Sequence, residues 1–143
     1  MSRPRVLVAG TADAIEALVE ALHGAAELVQ AQSVKEALAE LSRGPFDTIA
    51  CNVRFDESRM FEFLQAVMER RLTPAVRIVA FRMDDSALSH SIRNSIRAAL
   101  EALGVERFID LSQLRAEYGE DVARETLRKI VLEDTFSPPA PPS

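Results

Sequence analysis

The residue types that most often carry chemistry are scarce in this chain. Its 143 residues include one cysteine, Cys51, and two histidines, His23 and His90. A single cysteine excludes an internal disulfide. Cys51 also sits inside an apolar run, where a free thiol behaves as a small buried hydrophobe. Neither histidine stands at metal-ligand spacing from Cys51 or from an acid, so both read as surface residues and no metal site is expected. Glycine is thin as well, at five residues. The loop "AGTADA" (9–14) holds one of them, whereas a dinucleotide site needs several so that backbone can approach the pyrophosphate. No GxxxxGK[ST] stretch, nucleophile elbow, Ser/His/Asp order or paired-carboxylate arrangement stands out. No cofactor is implied, and nothing asks for an enzyme.

Two further absences bound the setting. Lysine and arginine number 17 against 22 acids, a net charge of −5 with a pI near 5.1. Such a balance argues against broad nucleic-acid binding, which needs a basic face to displace counterions. No apolar run approaches the length of a membrane span. The opening "MSRPRVLVAG" is too short in apolar residues for a signal peptide, so a cytoplasmic protein is expected. What remains is globular composition, 48% apolar and 27% charged, consistent with one domain over 1–136. The ending "SPPAPPS" (137–143) reads as a disordered, polyproline-like tail; it has PxxP spacing but no flanking basic residue.

Three runs predict strands, "RVLVAG" (5–10), "DTIACNV" (47–53) and "VRIVAF" (76–81), with weaker signals at "ELVQAQ" (27–32) and "RFIDL" (107–111). They are apolar on consecutive positions, the pattern of strands buried on both faces of a parallel sheet. Helical patterns lie between them. Ile15, Leu18, Val19 and Leu22 share one helix face, with Gly24 as a stop. "SVKE" (33–36) is a capping box that opens a second helix through Ala37, Leu38 and Leu41, ended at Gly44-Pro45. Phe61, Leu64, Val67 and Met68 mark a third, closed before Pro74. Leu88, Ile92, Ile96, Leu100 and Leu103 mark a fourth, ended at Gly104, and most of that stripe is expected to face the core. Ala123, Leu127, Ile130 and Val131 mark a fifth. Strict alternation of strand and helix means βαβ crossovers, hence an α/β three-layer sandwich around a central five-stranded parallel sheet.

In such a sheet, ligands and reactions gather beyond the carboxyl ends of the strands. Arg54 and Arg82 each follow a predicted strand end, with Arg59 just beyond. Their guanidinium groups are candidates to grip a phosphate or carboxylate; equally, they could pair with Asp13, Asp56, Glu57, Asp84 or Asp85 in the same loops. Thr11 or Asp13 reads as the N-cap of the first helix.

From Arg5 to about Leu111 the chain resembles the receiver domain of bacterial two-component response regulators, a flavodoxin-like (βα)5 fold. The resemblance is carried by "RVLVAG", by "SVKEALAELSRGPFDTIACNVRFDESRMFEFLQAV" (33–67) and by "GVERFID" (104–110). It implies a signalling domain that works through a protein partner, with a homodimer through the fourth helix, fifth strand and fifth helix as one form. It also implies a set of functional positions, and nearly all are altered. The acids that hold Mg²⁺ in an active receiver fall on Gly10 and Thr11, and the phosphoacceptor aspartate on Asn52. The serine or threonine after the fourth strand falls on Phe81, and the lysine ending the fifth on Leu111. The expectation is a pseudo-receiver, in which an amide replaces the nucleophilic carboxylate and a hard cation loses its oxygen ligands. The alternative is a sensor of a phosphate-bearing metabolite held by Arg54, Arg59 and Arg82. The 22 residues between Phe81 and Gly104 also exceed what a receiver needs, which predicts an elongated fourth helix. Past Leu111, "SQLRAEYGEDVARETLRKIVLED" (112–134) runs longer than the family's ending.

Overall fold

The consecutive apolar runs become five strands: β1 (Arg5–Ala9), β2 (Glu27–Ala31), β3 (Thr48–Asn52), β4 (Arg77–Arg82) and β5 (Arg107–Asp110). They are seen in a computed structural model that describes residues 3–71, 76–83, 90–105 and 107–132. All pair in parallel, in the order β2-β1-β3-β4-β5. Every residue of the central strand β3 is buried, as its unbroken apolar run requires when helices cover both sides. The expected α/β sandwich is present.

Among the described residues seven helical segments surround the sheet: α1 (Ala12–Ala21), α2 (Val34–Arg43), α3 (Phe55–Ser58), α4 (Met60–Glu69), α5 (His90–Ala102), α6 (Leu111–Tyr118) and α7 (Glu120–Leu132). One face of the sheet packs on α1, α6 and α7, through Val6, Val8, Ala50, Val79 and Phe81 against Leu18, Leu111, Leu127 and Val131. The other packs on α2, α4 and α5, through Leu7, Ile49 and Cys51 against Leu41, Phe63, Leu64 and Leu100. At the amino end of the sheet, Arg77 binds the Thr48 hydroxyl and the Val131 carbonyl. That contact ties the last turn of α7 to β3 and β4, a favourable place for a cation.

Helix ends follow local chemistry. Ser33 caps α2 by accepting from the Glu36 amide at 3.1 Å. The Glu36 carboxylate returns to the amide of Gln32 at 3.1 Å, one residue before the cap. At the end of α5, Gly104 (φ +88°) donates to Glu101 at 2.9 Å and Val105 donates to Leu100 at 2.9 Å. This left-handed closure needs glycine at its pivot, and it brings buried Val105 onto buried Leu100.

Several sequence expectations are corrected. Val19 is exposed, because the buried face of α1 is Ala14, Ile15, Leu18 and Ala21, whose small alanines let the helix sit close. In α4, Met60 and Phe63 join Leu64 and Val67 in the core, while Phe61 and Met68 only flank it. Among the described side chains of α5, Ile92 is 50% exposed and Leu100 alone is fully buried. Of the described part of the stripe, Leu100 lies in the core, Ile96 and Leu103 pack against it in part, and Ile92 turns outward. The long ending resolves into two helices, α6 and α7, divided at Gly119. Pro74, Asp84, Asp85, Leu88 and the tail 137–143 lie outside the described residues.

Between β3 and α4 the chain makes an unusual turn. Asp56, Glu57 and Ser58 have φ of 47°, 57° and 68°, three consecutive non-glycine residues in the left-handed region. Each costs about 1–2 kcal/mol relative to a right-handed conformation. Their surroundings hold them there. Phe55 is fully buried edge-on to Phe63, with centroids 5.3 Å apart. The Asp56 carboxylate accepts from the Val34 amide at 2.9 Å, fastening the turn to the first residue of α2.

Candidate functional site

β1 and β3 are neighbours, so their carboxyl ends bring Gly10, Thr11 and Asn52 together. The Asn52 side-chain oxygen accepts from the Thr11 amide at 3.2 Å. Thr11 is the N-cap of α1, its hydroxyl accepting from the Ala14 amide at 3.4 Å. Gly10 is packed between these groups. A Cβ there would lie 3.0 Å from the Ala14 Cβ and 3.2 Å from the Asn52 oxygen. Asn52 is therefore a bridge from β3 to the start of α1, made where a Cβ at position 10 would press its neighbours by a few tenths of an ångström.

Phe81 is paired directly opposite Asn52 on β4. Its ring and the Leu111 side chain belong to the core shared with α1 and α7. Asn52, Phe81 and Leu111 are 3%, 0% and 1% exposed, so all three are closed to solvent. Leu111 is not a strand end. β5 stops at Asp110, which caps α6 by accepting from the Gln113 amide at 3.2 Å, and Leu111 is the first residue of that helix.

Burial pushes the Cys51 thiol well above the ordinary thiol range, which removes it as a nucleophile at neutral pH. No group of three or more His, Cys, Asp or Glu among the described residues is placed to hold a metal ion. No helix among them is long and apolar enough to cross a membrane.

The arginines at this edge have separate surroundings. Arg54 is exposed, just past the end of β3. Arg59 binds Asp56 at 3.1 Å and Glu62 at 2.6 Å. The Glu62 hydrogen bond raises the Arg59 pKa, and the same bond lowers that of Glu62. Arg82 is only 2% exposed, and its Nη1 donates to both Asp110 oxygens, at 3.1 and 3.3 Å. Arg93 of α5 donates to the same carboxylate, Nε to Oδ2, at 3.1 Å. Asp110 therefore receives two guanidinium groups and the amide of Gln113.

Asp110 and Arg93 escape a reading of the sequence. The available signal was "DLSQ" (110–113), an N-cap aspartate three residues before a glutamine. The pairing with Arg82 has no local signal, since 28 positions separate the two.

No protein-family model matches the chain, and no curated protein does. Solved structures do. The chemotaxis response regulator CheY4 of Vibrio cholerae superposes with a TM-score of 0.65 at 19% identity, over 91% of this chain and 100% of that one. The phosphorylated cyanobacterial phytochrome response regulator RcpA gives 0.70 at 15% identity, over 96% and 100%. A CheY-like receiver domain protein from Methanospirillum hungatei gives 0.63 at 18%, over 90% and 91%. At these identities the likeness shows the fold alone, a CheY-like flavodoxin sandwich.

Proposed function

We propose that this chain is a receiver-fold signalling domain that works without phosphorylation, through contact with a protein partner. The observation that carries the proposal is the joint state of Asn52, Gly10 and Phe81. An acyl phosphate requires a carboxylate oxygen as nucleophile, and Asn52 offers an amide already engaged by the Thr11 backbone. Mg²⁺ requires oxygen ligands, and Gly10 contributes no side chain where one would stand. Phe81 and Leu111, which the receiver resemblance aligns with a hydroxyl and an ammonium that contact a phosphoryl group, are apolar and buried. No catalytic step is assigned. Contact with a partner, or with a second copy of the chain, falls on the face of α5, β5 and the helices after β5, in a cytoplasmic setting.

The test is incubation with acetyl phosphate and Mg²⁺ beside an ordinary receiver. The expected result is no label on this protein. An acid-stable, hydroxylamine-labile phosphoryl group would overturn the proposal. Anion sensing through Arg54, Arg59 and Arg82 would instead have to draw Arg59 from Asp56 and Glu62, and Arg82 from Asp110. It predicts thermal stabilisation by a nucleotide or sugar phosphate at millimolar concentration, abolished in Arg82→Ala. No shift with either ligand would remove it.

A further inference from the structure

The attachment of α5 differs from that of the other long helices. α1, α2, α4 and α7 each bury three or four side chains. From position 91 onward α5 buries one, Leu100, close to its carboxyl end. That end is closed by the Gly104 and Val105 hydrogen bonds, with Val105 against Leu100 in the same core. Toward the amino end, two of its contacts among the described residues are made by arginines. Arg93 lies two turns before Leu100 on the same face, and its Nε binds Asp110 at 3.1 Å. Arg97, one turn later, lies over the Phe108 ring with its guanidinium carbon 5.7 Å from the centroid. Ile96 packs on the core only in part, and Ile92 is half exposed.

Asp110 does not depend on Arg93 to stay in place. Arg82 and the Gln113 amide also bind it. The Arg93 side chain is 18% exposed, so its guanidinium can pass into water as it leaves. We infer that the Arg93–Asp110 ion pair is a latch on α5. When it opens, α5 pivots about its anchor at Leu100–Val105, while the Arg82–Asp110 pair, the α6 cap and the sheet stay as they are. The latch sets which surface α5 presents, and it holds whether or not Asn52 accepts a phosphoryl group.

Amide hydrogen exchange on the whole chain tests it. A charge-assisted bond of this kind corresponds to about a ten- to hundredfold change in a local opening equilibrium. In Arg93→Gln the amides of residues 93–99 should exchange faster by that factor, while those of β1, β3 and β4 keep wild-type rates. Arg93→Lys, which keeps the charge and loses the Nε geometry, should fall between the two. Unchanged exchange in α5 of Arg93→Gln would overturn the latch. So would equal acceleration throughout the sheet, which would make Arg93 a contributor to global stability only.

Discussion

Replacing Asp110 with alanine should be among the most damaging single changes in this protein. The carboxylate is 5% exposed and faces a guanidinium that is 2% exposed, so water cannot take over its role. Removing one partner of a buried pair costs up to about 3–5 kcal/mol, because the remaining charge stays desolvated; Arg82 keeps a further interaction, so this is the upper figure. Asp110 is also the N-cap of α6, and losing such a cap costs about 1 kcal/mol more. The sum, up to about 4–6 kcal/mol, rivals the whole stability of a typical domain, about 5–15 kcal/mol. With a urea slope of about 2 kcal/mol/M, the midpoint should fall by up to about 2–3 M. The chain has no tryptophan, so unfolding is best followed by far-ultraviolet circular dichroism. Asp110→Asn keeps an acceptor for the Gln113 amide and for Arg82 and removes the charge, so its difference from alanine measures these hydrogen bonds without the charge. Adding Arg82→Met to Asp110→Asn should restore much of the loss, since no buried guanidinium remains at position 82 to be compensated. A loss below about 1 kcal/mol in Asp110→Ala would refute the reasoning, showing that the pair behaves as an exposed one.

Three other outcomes follow from the same structure. Gly10→Ala should destabilise by about 1–3 kcal/mol, because its Cβ would stand 3.0 Å from that of Ala14; thermal melting measures it. Glu57→Gly should stabilise by about 1 kcal/mol and raise the melting temperature a few degrees, since φ at Glu57 is 57°; a lowered melting point would argue against a left-handed turn. Cys51 should resist an aromatic disulfide reagent at pH 8 in the native protein and react fully in urea. Its raised pKa means that above about pH 8.5 the unfolded chain loses a proton that the folded one keeps. This contribution to stability is complete at neutral pH and is lost as the solution becomes more alkaline.

The strands were legible because a strand buried on both faces must be apolar at every position, as Thr48–Asn52 nearly is. The stripe Ala123, Leu127, Ile130, Val131 was legible because α7 buries one clean face against α1 and β3. The α1 pattern misled at Val19 because periodicity marks large residues, whereas the contact there is made by Ala14 and Ala21. Ile92 misled because an apolar residue in a helical stripe does not by itself fix which turns of the helix reach the core. At the candidate site, Gly10, Thr11 and Asn52 could be placed at one edge from strand order alone. The bond from Asn52 to Thr11 could not, and neither could the left-handed turn at Asp56–Ser58. That turn has no glycine or asparagine to announce it, and it is held by distant groups, Phe63 and the Val34 amide.

The close packing of Gly10 against Asn52 and Ala14 also makes the substitutions around it order-dependent. An aspartate placed at position 52 alone would gain a nucleophilic oxygen while positions 10 and 11 still carry no carboxylate. An aspartate placed at position 10 alone would drive its Cβ into the Ala14 methyl and the Asn52 oxygen. A shift of α1 by a few tenths of an ångström, or a smaller residue at position 14, would ease the route from this site to an acid-bearing one. In a double-substitution experiment, the two aspartates should show strong epistasis that Ala14→Gly relieves.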